Sequence, residues 1–141
     1  MKRNAPTPNI VDQNIEDKYV NTPKDQSFRM RRKGHYFTWP QNEKPLNEIM
    51  ENLKTFYSGY DPILIVVCSE YHAHKGEEEP HLHRHALVHL NREFNKRVTL
   101  NELDKIADKH GYYTGYTKGY KAALLYTLKD EDYISWTPPR S

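Results

Sequence analysis

The 141-residue sequence predicts an α+β fold in which a central antiparallel sheet of about five strands carries its helices on one face. Two apolar stripes at helical spacing, over residues 46–56 and 100–107, are each hydrophobic on one side only. Between them, residues 62–68 form a continuous apolar run that is too short for such a helix and rich in β-branched side chains, as a central strand is. Residues 79–90, read with a period of two, place His81, His83, His85 and His89 on one face and Leu82, Ala86, Val88 and Leu90 on the other. A sheet that is apolar on one side packs its helices there and leaves the imidazole side open.

Composition narrows the class. At this length one domain is expected, and an apolar fraction of 36% implies a small core or an unpacked segment. A net charge of +2 decides little; Arg29, Arg31, Arg32 and Lys33 form a basic run, and Glu77, Glu78 and Glu79 an acidic one. The single Cys68 excludes an internal disulfide and fits a reducing, intracellular setting. No stretch approaches the ~20 apolar residues of a membrane span, and the N-terminus has no apolar signal core, so a soluble protein without a membrane partner is expected.

Residues 1–27 carry three prolines and few apolar side chains, and read as a flexible extension. The folded domain is expected over residues 28–136, with residues 137–141 as a tail or the start of a linker. Its first strand, residues 35–39, should end at Pro40. The first helix follows, with Pro45 at its start and Ser58-Gly59 at its end. The apolar strand runs on through Tyr71, and the polar residues 72–79 form a hairpin turn into the His strand. After Asn91 the chain is polar and basic through Arg97. Thr99 and Glu102 have capping-box spacing, and a second helix ends near His110-Gly111. Residues 112–117 suggest a strand, with Gly115 a bulge, and residues 120–129 a third helix.

Six of the eight His lie between His72 and His89, so overall composition does not explain the row. Across the hairpin, Glu70 can approach these imidazoles. One carboxylate with two His accepts a hard or borderline divalent ion, Mg²⁺ or Mn²⁺, when phosphate and water complete the shell; a thiolate-rich zinc site is excluded by the one Cys. A metal beside a basic run suits a phosphate substrate. Tyr126, with Lys129 three residues on, is a candidate nucleophile toward phosphorus, although in a chain with eleven Tyr any one of them is more often a packing residue.

These segments resemble a known family. Phe28-Arg29-Met30, Lys33 and Tyr36-Phe37-Thr38-Trp39-Pro40-Gln41 are similar to the first motif of geminivirus-like replication initiators. Residues 68–72 resemble their metal-carboxylate strand, Pro80-His81-Leu82-His83 their two-His second motif, and residues 126–132 followed by Trp136 their third motif. The resemblance covers residues 28–136 with the motifs in order. It lacks the Gly-Arg-Ser element of geminiviruses, which suggests another branch of circular single-stranded DNA replicons.

The resemblance implies a His-hydrophobic-His (HUH) endonuclease domain of ferredoxin- or RRM-like fold. Tyr126 would attack a scissile phosphate in the single-stranded loop of an origin stem-loop, leaving a 3′-hydroxyl to prime rolling-circle synthesis and a 5′-phosphotyrosine link, and reversal would rejoin the strand. Glu70 and a His pair would hold the Mn²⁺ or Mg²⁺, and Lys129 would help position the phosphate. Arg29, Arg31, Arg32, Lys33, Tyr36, Thr38 and Trp39 would contact DNA, with Tyr36, Phe37 and Trp39 stacking bases. Pro80 and apolar Leu82 favour His81 with His83. The alternative pair, His83 with His85, puts Arg84 in the apolar slot, where an unpaired charge is costly. An intracellular setting is expected, the host nucleus for a virus of eukaryotes, as is oligomerisation through a C-terminal region that this chain lacks. The competing reading is a non-catalytic single-stranded nucleic-acid-binding module with an RRM-like sheet.

Overall fold

A computed structural model describes residues 23–72, 81–116 and 132–139. Within them the chain forms β1 (Ser27–Trp39), α1 (Leu46–Phe56), β2 (Pro62–His72), β3 (His81–Thr99), α2 (Leu100–Asp104), β4 (Tyr112–Tyr116) and β5 (Tyr133–Trp136). The strands make one antiparallel sheet in the order β4-β1-β3-β2-β5, so the His strand is its centre. The α+β architecture, with a five-stranded central sheet, is the one the sequence predicts.

Alternation sorts the side chains between two faces. Phe37, Trp39, Ile65, Val67, Ala86, Val88, Leu90, Phe94 and Val98 meet Ile49, Met50 and Leu53 of α1 and Leu100 and Leu103 of α2 in one core. Helix α1 forms where its apolar stripe predicts. Pro45 precedes it in an extended conformation, and Glu48 in its first turn and Lys54 in its last oppose the ends of the helix dipole. Helix α2 starts at the expected capping box: Glu102 N–H donates to Thr99 Oγ1 at 3.2 Å, and Thr99 N–H to Glu102 Oε2 at 2.7 Å.

Several elements differ from expectation. Strand β3 does not stop at Asn91 but continues to Thr99, because Phe94 and Val98 keep the inward phase of Ala86, Val88 and Leu90. Strand β1 begins eight residues early, at Ser27, inside what reads as a flexible extension, because β3 is there to pair with it. Helix α2 is one short turn; Ile106 and Ala107 stay buried in the loop after it. Gly115 is not a bulge, since β4 pairs with β1 without a break. The irregularity lies instead in β1 against β3, between Arg32 and Gly34. It shifts the inward phase of β1 from Met30 to His35, and Arg32 there takes φ of 105°, a conformation rare for a residue with a side chain. Residues 133–136, to which the sequence assigns no element, are edge strand β5 on β2. The third helix, over residues 120–129, lies outside the described residues.

Candidate active site

The face of the sheet away from the helices is built in transverse rows. One row runs Tyr112, Thr38, His85, Cys68, Tyr133 across all five strands; in the next, Glu70 of β2 stands opposite His83 of β3. Antiparallel partners share a face, so pairing alone brings a carboxylate, two imidazoles, a thiol and a hydroxyl together at the middle of the sheet. Contrary to the open face expected, this centre is buried: Glu70, His83 and His85 are only 4–7% exposed. The Tyr36 ring, itself buried, stacks on His85 with centroids 5.7 Å apart.

The imidazole of His85 is held at both nitrogens. Its Nε2 lies 3.0 Å from Glu70 Oε1 and its Nδ1 lies 3.2 Å from Thr38 Oγ1. A carboxylate at Glu70 only accepts, so opposite it Nε2–H is the donor, and a neutral ring then accepts from the Thr38 hydroxyl at Nδ1. The His83 ring lies 6.3 Å from that of His85. His89, farther along the same face, is half-buried; burial first, and then the Lys33 charge, hold its imidazole below the usual histidine range.

Arg84 bears on the choice between the His pairs. It points to the opposite side from His83 and His85, is 8% exposed, and its Nε donates to the Lys44 carbonyl at 2.9 Å. Burial lowers its pKa, while the nearby charges of Asp132 and Glu43 oppose that shift. The slot between His83 and His85 therefore holds a partnered guanidinium, and the objection to that pair, an uncompensated charge, does not apply. The side chain of His81, and the whole of Tyr126 and Lys129, lie outside the described residues.

The proposed DNA contacts divide. Phe37 and Trp39 face the helices, stacked on each other at 5.2 Å in the core, with Trp39 only 2% exposed. Their expected role as base-stacking rings is corrected: the phase of β1 after its bulge turns them inward. Tyr36 and Thr38 lie on the His face. Arg29 and Arg31 share that face with Arg97 and Asn95, which stand opposite them on β3. Arg29 and Arg97 are exposed and hydrogen-bonded to Asn95 Oδ1 and Ser27 Oγ, at 2.8 and 3.2 Å. Arg31 and Lys33 are exposed as well, whereas Arg32 is half-buried at the bulge. Sequence reading missed Arg97; its only signal is that Phe94 and Val98 lie four residues apart in one phase, and Lys96 between them breaks the apolar alternation.

Among the described residues, no three His, Cys, Asp or Glu side chains stand close enough to hold a metal ion as they are. The chemistry of the donors nevertheless fits a hard or borderline divalent cation. Glu70 with His83 and His85 supplies one carboxylate and two imidazoles from adjacent strands on one buried face.

Neither protein-family models nor curated proteins match this chain. No helix among the described residues is long and apolar enough to cross a membrane.

Proposed function

We propose that this chain is a metal-dependent endonuclease that nicks and rejoins single-stranded DNA at a replication origin. The observation that carries the reading is the buried contact of Glu70 with His85, beside His83, on the face that also bears Arg29, Arg31 and Arg97. The order of sequence motifs from Phe28 to Trp136, which resembles that of rolling-circle initiators, supplies the reaction class.

In this reading the arginines and Lys33 neutralise backbone phosphates and hold the strand over the sheet. Tyr126 loses its phenol proton to solvent as Oη attacks the scissile phosphorus; the new O–P bond forms as the P–O3′ bond breaks, and the departing O3′ takes a proton from solvent as a free 3′-hydroxyl. Attack by another 3′-hydroxyl on the tyrosyl phosphate reverses the step and joins strands. Lys129 offsets charge on the phosphate. Glu70, His83 and His85 would hold a Mn²⁺ or Mg²⁺, which would supply Lewis-acid polarisation of a phosphoryl oxygen. Preferring His83 with His85 over His81 with His83 rests on the Glu70–His85 contact and the partnered Arg84 between them.

The test is incubation of the chain with a labelled library of hairpin-loop DNAs and Mn²⁺, followed by a denaturing gel. Wild type is expected to give a covalent adduct, and Tyr126→Phe and Glu70→Ala at least ~100-fold less. DNA binding without any adduct from wild type would instead favour a non-catalytic module, with the exposed Tyr112 and Tyr133 as its stacking rings.

A further inference from the structure

We propose that Thr38 is a positioning residue for His85, presenting Nε2 of that imidazole, and not Nδ1, to a divalent ion. This rests on the reading of Glu70 and His85 as metal-holding residues. Three contacts orient the ring: Glu70 Oε1 at 3.0 Å from Nε2, Thr38 Oγ1 at 3.2 Å from Nδ1, and the Tyr36 ring stacked on its plane at 26°. Thr38 is placed for this by register, as it pairs directly with His85 across β1 and β3.

The chemistry requires a hydroxyl at this position. Without metal, Nε2 carries the proton that Glu70 accepts, so Nδ1 needs a donor. In the tautomer that leaves Nε2 free for a cation, the neutral ring would carry its one hydrogen on Nδ1, which would then need an acceptor. A hydroxyl both donates and accepts, so Thr38 satisfies the ring in either tautomer by rotating one O–H bond. A methyl group does neither. Partners of this kind, on the nitrogen away from the metal, typically contribute roughly 10- to 100-fold to metal affinity. Thr38 is therefore assigned to the metal side of the site and not to direct DNA contact.

Mn²⁺ affinity, measured by calorimetry on the whole chain, tests the assignment with Thr38→Val, Thr38→Ser and Glu70→Ala beside wild type. Single-stranded DNA affinity in EDTA is measured on the same samples. Thr38→Val, which keeps the β-branched shape of the strand residue, should weaken Mn²⁺ binding about 10-fold or more. Thr38→Ser should remain near wild type, and neither should change DNA affinity in EDTA. In metal-free wild type, ¹⁵N spectra of His85 should show the proton on Nε2; Thr38→Val should lose the Nδ1 hydrogen-bond shift. Unchanged Mn²⁺ affinity in Thr38→Val, with loss in Glu70→Ala, overturns the role of Thr38 alone. Unchanged affinity in both overturns the metal site with it, and weaker DNA binding in EDTA with normal Mn²⁺ affinity makes Thr38 a DNA contact instead.

Discussion

His35 stands in the helix-side core with no solvent exposure, among the rings of Tyr57, Phe94 and Tyr113. Its Nε2–H donates to the Arg31 carbonyl at 3.2 Å, so its Nδ1 accepts from the Tyr57 hydroxyl at 2.5 Å and the ring is neutral. Desolvation is the largest influence on it and lowers its pKa from 6.5 to about 3. The unfolded chain takes up a proton near 6.5 that the folded chain refuses until about 3. Its contribution to stability is therefore complete above pH 6.5 and is lost as pH falls from there toward 3. The loss should be on the order of 5 kcal/mol across that window. Urea midpoints from pH 7 to pH 4 should fall more steeply for wild type than for His35→Gln, which cannot titrate. Parallel slopes would show that His35 charges without cost. The sequence marks this histidine only as one aromatic among several in an aromatic strand. Nothing in its neighbours reveals that its ring turns inward, because that depends on the bulge three residues earlier.

At the scale of the element, the irregularity of β1 against β3, where the two residues from Arg32 to Gly34 span the five from Phe94 to His89, does more than change phase. The Arg31 carbonyl just before it receives both His35 Nε2–H and, at 3.3 Å, the Tyr113 hydroxyl, whose phenol pKa is raised by burial. β4 must approach this kink closely. A Cβ on Gly115 would stand 2.6 Å from Arg32 Cγ and 3.2 Å from the Arg31 carbonyl oxygen. The arginine side chain can swing away, but the carbonyl is held by its two donors, so Gly115→Ala should cost roughly 1 to 3 kcal/mol of stability. A thermal midpoint within a degree of wild type would instead mean that β4 slides freely along β1. The Gly in residues 112–117 is a correct sequence signal that the chain does something unusual there. Sequence alone assigns the irregularity to Gly115, whereas pairing transfers it to the partner strand, where Gly34 stands at the shift and is the local sign of it.

The whole molecule presents two unlike faces. One is closed by the helices around Trp39, Leu53 and Phe94; the other runs along β3 from buried His83 and His85 to exposed Arg97. If single-stranded nucleic acid follows the second face, each arginine on it that meets a phosphate lowers the salt dependence of binding when removed. Arg29→Ala and Arg97→Ala should each reduce the slope of log K against log[salt] by about 0.7, the single-strand value for one phosphate. Lys54→Ala, on the last turn of α1 and thus on the helix side, should leave the slope unchanged. Equal effects from all three would mean that net charge, and not this face, governs binding.

Local residue pattern determined most of what repeats at short range. The stripe of α1, the apolar run of β2, the alternation of the His strand and the Thr99–Glu102 capping box are legible because each depends on neighbours within a turn or two of chain. That Glu70 would reach an imidazole is also legible, since a hairpin brings its two arms together. Register was decided only by the tertiary structure. The Cα pairing of Cys68 with His85, and of Thr38 with the same residue, gives His85 its two polar partners, while Leu82 and Pro80 had favoured His81. So were the inward turn of Trp39, the extension of β3 past Asn91 and the addition of β5. Each rests on contacts between residues far apart in sequence, whose free energy exceeds local preference and which no short window contains.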